Sequence, residues 1–562
     1  LPADFIKNIQ LINANATQDI NNGLLKGEEE KVLNITLKED KKKIYFGQVT
    51  AGSGTNDRYI GSFGLNKFDE GTEVSVLGSF NNTNTSLFTF GNPAGGDRVK
   101  STMEMGGYSD PIDGLNKVGS IGVNIADQLS KGIYFNASYN YIRQNNLTDG
   151  IAQLTSTYIG NTIYKKEDYT IGTEDKNHKI RFGFDVKFDN NDNLKVNANL
   201  SLNQQFAEQI KQTSLRNYAN KSDGNYQDSS RLSSPNGDVD IIYSKFFKKK
   251  GRKLAASLIL NSNNQNRSEY ITERYLEYGI DNNLENEFNQ NQYIIQRNHT
   301  NATKVALSYV EPFSAHSLFE FAYEFDITSI NALRLVEDRT SLEDYKYIDY
   351  LTVDYNYLFK SHRGSMTYQY EPNKKLKMNV GFSVQPLIME GKLPRDEVIY
   401  NYDNVNLIPT FNLLYKFSKE TDWQLSYKGK NNQPYFTQIA PVIDNTNSRN
   451  IIIGNPELKA EYIHRISTTF RKSIGSKMQY FETNFAYNFV ANKIVSDKRT
   501  QENSTIQETT FKNSSGYYDW RWYYTFNTPL IGDELQLDLT GTTDYYNNLS
   551  FITMLFMAFL GG

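Results

Sequence analysis

Ile180-Arg181-Phe182-Gly183-Phe184-Asp185-Val186-Lys187-Phe188 alternates apolar with polar or small residues without a break. Successive side chains of a strand point to opposite faces, so one face here is greasy and the other carries Arg181, Asp185 and Lys187. The run is also long. Soluble strands average roughly five or six residues, whereas a tilted strand needs about ten to cross a bilayer. One face suited to lipid and one to water, at that length, predicts a transmembrane β-strand.

The same rhythm recurs on both sides of this stretch. Ile133, Phe135, Ala137, Tyr139 and Tyr141 alternate with Tyr134, Asn136, Ser138 and Asn140. Leu194, Val196, Ala198, Leu200 and Leu202 follow it, and further on come Phe319–Phe325, Leu376–Val384 and Trp520–Phe526. Apolar residues make up 38% and mean hydropathy is −0.60, values that would suit a soluble chain. Aromatics reach 13%, with 39 Tyr and 33 Phe, as membrane-interface girdles require. No run of 18 apolar residues exists, which excludes spanning helices.

The connections set the topology. Short polar links fall at 69–72, 189–193, 248–253, 371–375, 418–422 and 475–477. Long Asn-, Ser- and Gly-rich segments lie at 84–115, 144–177, 205–238, 264–299, 329–350 and 431–463. Apart from a tight first link at 56–58, short and long alternate, matching the periplasmic turns and extracellular loops of outer-membrane barrels. No blade-like repeat of 40–50 residues argues for a propeller. The expected fold is all-β, a large antiparallel transmembrane barrel. About 19 strands can be placed, from 44–55 to 535–546, both rising from the periplasm. A closed antiparallel barrel has an even number, so three further strands, making 22, are expected outside this sequence.

Several motifs invite chemistry and have plainer readings. His178, His299, His316, His362 and His464 are scattered, with no zinc-ligand spacing. Gly52-Ser53-Gly54 lacks the Lys-Ser/Thr of a phosphate loop. The acidic–Asn stretches 189–193 and 223–240 resemble calcium loops in composition, but turn chemistry explains the first and an extracellular loop the second. Lys248-Lys249-Lys250-Gly251-Arg252-Lys253 reads as a solvated periplasmic turn. Glu320, Glu324 and Asp326 face one way on a strand, where a lumen expects polar residues. No enzyme site, metal site or cofactor is expected. With 60 Lys+Arg against 64 Asp+Glu, net −4, nucleic acid is not the partner. The absence of Cys fits passage through an oxidising periplasm.

Three segments carry a family resemblance. The stretch from Leu1-Pro2-Ala3-Asp4-Phe5-Ile6 through Lys31-Val32-Leu33-Asn34-Ile35-Thr36-Leu37 resembles the end of the plug domain of TonB-dependent receptors, and more closely those of the Bacteroidetes branch. Residues 42–84 resemble that branch's first three barrel strands. Gly454-Asn455-Pro456-Glu457-Leu458, followed by Glu461, resembles a late-barrel loop motif, with Ala460 where the pattern has Pro. The resemblance implies a plugged 22-stranded barrel in the outer membrane that imports a bulky nutrient (oligosaccharide, peptide or metal chelate). It implies pulling by the TonB complex on an N-terminal segment that this sequence lacks, and in some relatives a surface lipoprotein lid. Domains follow: a plug remnant at 1–41, a C-terminally truncated barrel at 42–548 and an atypical apolar tail at 549–562. Leu1-Pro2-Ala3-Asp4 has no signal-peptide character, so the chain is expected to start inside a longer precursor. A passive porin and a surface adhesin are the competing readings. Outer-membrane lipid and lipopolysaccharide surround the barrel in each case.

Overall fold

The computed structural model describes residues 6–15, 29–38, 43–69, 71–84, 114–158, 161–189, 192–217, 220–279, 281–340, 345–393, 398–439, 443–444, 450–475, 479–501, 507–532, 534–549 and 551–555. The barrel sheet holds twenty strands, one of them the two-residue stub Lys346–Tyr347, which leaves nineteen of full length. These are β1 (Lys43–Ser53), β2 (Tyr59–Asp69), β3 (Thr72–Asn81), β4 (Leu115–Ser130), β5 (Ile133–Tyr158), β6 (Asn161–Lys187) and β7 (Asn193–Arg216). Next come β8 (Lys221–Phe246), β9 (Lys253–Tyr278), β10 (Leu284–Ser314), β11 (Ser317–Asp338), β12 (Val353–Asn373) and β13 (Leu376–Leu393). The last six are β14 (Val398–Lys416), β15 (Thr421–Asn432), β16 (Glu461–Ile474), β17 (Gln479–Ala491), β18 (Tyr517–Ile531) and β19 (Leu535–Tyr546).

Each strand pairs antiparallel with the next, and the sheet curls round into a barrel in which β19 stands beside β1. Nineteen is odd, so β1 and β19 rise in the same direction. Among the described residues, every junction except this seam has a residue-by-residue register. The short links sit where the sequence places them, between β2 and β3, β6 and β7, β8 and β9, β12 and β13, and β14 and β15. The link at 475–477 lies mostly outside the described residues. Left-handed glycines make two of these turns and their like possible. Gly132 has φ +84°, and a Cβ there would meet the Lys187 carbonyl at 2.6 Å.

The long polar segments correct the sequence reading. Residues 144–177, 205–238 and 264–299 are mostly strand, not irregular loop. β5, β6 and β10 run for 26, 27 and 31 residues, and β5 pairs with β6 up to Tyr158 opposite Asn161. Ladder bonds join backbones and do not require a greasy face. Above the membrane both faces meet water, so polar residues such as Thr170, which donates to Asp149 Oδ1 at 2.6 Å, continue the ladder without alternation. The 223–240 segment is accordingly part of β8. Most of 84–115 lies outside the described residues.

The faces fall as the alternation predicts. Phe182, Phe321 and Phe382 are each 40–48% exposed on the outer wall. Tyr139 lies opposite Ile180, and Met378 shares the face of Phe382. Asn136, Arg181, Lys377 and Asn379 line cavities inside the barrel, and Asp185 alternates onto the Arg181 side. Outside the barrel sheet, Ile6–Asn15 and Glu29–Leu37 form an antiparallel pair. A five-stranded sheet joins Ile443–Asp444, Asn450–Ile453, Gln507–Ser514, Lys493–Gln501 and Phe551–Leu555. The last of these belongs to the apolar tail and is laid parallel to Lys493–Gln501; 550 and 556–562 lie outside the described residues.

Candidate functional site: the lumen and its extracellular mouth

At the extracellular end of β12 and β13 the inner wall turns apolar. Ile388 is 46% exposed on the outside, while Leu387 and Met389, on the inner face, are 1% and 5% exposed. What covers them comes from the long connections: Ile439, Leu458 and Ile494 pack with Tyr355, Leu387 and Met389 in one buried cluster. The segment between β15 and β16, and the hairpin 493–514 between β17 and β18, therefore fold inward across the mouth. A second cluster does the same nearby, where Ile271, Ile294 and Val336 of the wall hold Leu351 and, at its edge, Ile443.

The motif Gly454-Asn455-Pro456-Glu457-Leu458 and Glu461 is the clasp between these two inward segments. Asn455 Nδ2 donates to the Phe511 carbonyl at 2.9 Å, its Oδ1 accepts from the Glu457 N–H, and its own N–H donates to the Gln438 carbonyl. Leu458 is 2% exposed. Gly454 is buried and Pro456 half-buried in the turn that carries them. Glu461 starts β16 and is almost fully buried. Its Oε1 accepts from the Ile494 N–H at 2.9 Å and lies 3.1 Å from Lys493 Nζ, and its Oε2 accepts from Asn432 Nδ2 at 2.8 Å. A buried carboxylate is tolerable only when its lone pairs are satisfied in this way.

Sequence reasoning missed two partners of the clasp. Asn513 accepts from the Lys459 N–H at 2.8 Å and donates to the Lys459 and Asn492 carbonyls. Arg334, on β11, donates to the Leu351 and Ile443 carbonyls at 3.3 and 3.0 Å, tying the β11–β12 connection and the β15–β16 segment to the wall. An Asn in an Asn-rich hairpin and an Arg on a polar face give no one-dimensional signal of such roles.

Below the mouth the inner wall is polar. One cavity of about 970 Å³ lies against β3–β8, with Arg181, Lys195, Asp238 and Asp240 on its lining. Another of about 1190 Å³ lies against β13–β17, lined by Lys377, Lys416, Lys428 and Arg465 among others. Glu320 and Glu324 face inward as expected and are engaged: Ser308 Oγ donates to Glu320 at 2.6 Å, and Lys304 Nζ lies 3.0 Å from Glu324. Asp326 shares their face. They form part of a polar wall.

The histidines are less scattered than they look in sequence. Tyr139–His178, Tyr323–His362 and Tyr427–His464 each join a tyrosine Oη to a histidine Nδ1, at 2.9, 2.7 and 2.8 Å, diagonally between neighbouring strands. Tyr323 and His362 are exposed on the outer wall, so these pairs belong to the aromatic belt. His299 bonds Asn264 and Asn301, and His316 Nδ1 lies 3.2 Å from the Glu371 carbonyl. Among the described residues no grouping of three His, Cys, Asp or Glu could hold a metal ion. Asp192 of the 189–193 turn accepts from Tyr243 Oη and the Phe246 N–H, which is turn anchoring. Gly52-Ser53-Gly54 ends β1 and enters its hairpin, with the Gly54 N–H donating to the Arg58 carbonyl. The basic run 248–253 is the β8–β9 turn, and Lys249 and Arg252 both bind Glu311.

A family model described as the outer membrane protein beta-barrel family matches residues 245–552. No curated protein matches the chain. Among solved structures, a copper transporter, OprC, is similar at TM-score 0.45 and 9% identity, over 96% of this chain and 67% of that one. The Serratia marcescens hemophore receptor HasR, in complex with its hemophore and heme, is similar at 0.44 and 11%, over 97% and 70%. The FrpB iron transporter from Neisseria meningitidis is similar at 0.42 and 10%, over 89% and 75%.

Proposed function

The chain belongs to the outer membrane protein beta-barrel family, and on that premise we propose that it is an energised importer of the TonB-dependent type, of the Bacteroidetes branch. It is an outer-membrane protein, and a large barrel leaves a lumen that wall side chains do not fill. The observation that carries the reading is the mouth. Two extracellular segments are clasped inward through Asn455, Leu458 and Glu461, against an apolar patch on the inner wall. A barrel built to leave solutes a free path has no use for a buried, hydrogen-bonded closure there. In this reading residues 1–41, with their antiparallel pair, are the end of a plug, and the TonB complex acts on a more N-terminal segment. The cargo is a bulky nutrient, and the residues in contact with it do no catalysis.

Uptake tests the proposal. Cells carrying the full-length protein should bind the nutrient with or without TonB and accumulate it only with TonB. Accumulation that continues in a TonB-deficient strain contradicts active import. A passive pore is favoured only by the polar lumen, which both readings share.

A further inference from the structure

The lumen wall is electrically lopsided. From β12 to β16 the inward positions include Arg363, which stands opposite Glu324 of β11, and Lys377, Lys416, Lys428, Arg465 and Arg471. Two carboxylates share this lining: Asp422, taken by Arg471 at 3.1 Å, and Glu420 in the β14–β15 turn at its periplasmic end. Among the described residues, Lys377, Lys416, Lys428 and Arg465 have no carboxylate partner. Lys428 and Arg465 stand directly opposite each other in the β15–β16 register, two residues above the bonded pair Ser426 and Ser467 on the same face. Like charges in opposite cross-strand positions repel. Both are exposed to the cavity of about 1190 Å³, which extends down past Lys416 and Lys377 toward the periplasmic turns. The opposite cavity mixes its signs, with Arg181 and Lys195 against Asp238 and Asp240.

We propose that this wall is an anion-binding surface with Lys428 and Arg465 at its centre, and that the imported solute carries carboxylate or phosphate groups. The naming of a substrate class rests on the importer reading; the binding surface itself does not. A bound anion between the two side chains converts their repulsion into two attractions. The row of lysines below then offers successive, weaker contacts toward the periplasm. A low-dielectric wall around a predominantly positive surface focuses its field into the cavity.

The chain contains no Cys, so single-cysteine variants report one position each. Gln424→Cys places a thiol in the basic cavity and Asn199→Cys places one in the mixed cavity. Each is reacted with anionic sulfonatoethyl and cationic trimethylammonioethyl methanethiosulfonate, and rates are normalised to those of a free thiol. The anion-to-cation ratio at Gln424→Cys should exceed that at Asn199→Cys by about tenfold at low salt. Inorganic pyrophosphate should slow the reaction at 424 and leave 199 unchanged. Adding Lys428→Gln and Arg465→Gln should remove both effects, while the charge-keeping pair Lys428→Arg and Arg465→Lys should preserve them, which separates lost charge from lost folding. Equal ratios at the two positions, or no protection by pyrophosphate, would overturn the proposal. No step involves uptake, so this outcome is independent of whether import needs TonB.

Discussion

Glu461 Oε1 lies 3.1 Å from Lys493 Nζ, with the Glu461 side chain 5% exposed and that of Lys493 30%. This pair joins the first residue of a wall strand to the first residue of the hairpin that crosses the mouth. Removing the carboxylate in Glu461→Ala leaves the buried Ile494 N–H without its acceptor, a loss of roughly 1–3 kcal/mol. The cost should appear locally. Hydrogen exchange should speed up in 493–514 while the β5–β10 ladders keep their protection. Unchanged exchange in the hairpin would show that Glu461 does not hold it.

Leu458 sits in the cluster beneath the clasp, against the inner wall. Leu458→Ala should destabilise the closed mouth by about 2–5 kcal/mol, the usual cost of such a cavity. Limited proteolysis of intact cells should then cut within 433–460, where the parent protein resists. The barrel should still migrate as a folded, heat-modifiable species on gels. Cleavage at the same rate in both proteins would contradict the packing.

Phe382 faces outward midway along β13, and Gln424 faces the lumen. Phe382→Arg should lower folding stability in bilayers by about 2–4 kcal/mol, as charges near the midplane do. Gln424→Arg should change it little. A reversed order of costs would mean the faces are exchanged.

Much of this was legible in one dimension. The run Ile180–Phe188 and its repeats set strand, length and face together, because a lipid-facing wall forces strict alternation. The turns at 69–72, 189–193 and 248–253 then fixed the order, and the expected count of about 19 strands agrees with β1–β19. Alternation stops being informative where lipid stops. Residues 144–177 and 264–299 are strand in water, held by backbone pairing that composition does not report. The motif at 454–461 was visible as a pattern, yet its work was not. Glu461 meets Lys493 across 32 positions, and Arg334 meets Ile443 across 109. Such contacts exist only once the loops have turned inward.

A barrel closed at rest carries no ionic current, so conductance reads the state of the mouth without any knowledge of the cargo. The full-length protein, reconstituted in planar lipid bilayers in potassium chloride, should be electrically silent, because the clasped segments lie across the inner wall of the mouth. Steady, long-lived open channels from the unmodified protein would contradict it and return the chain to the class of passive pores.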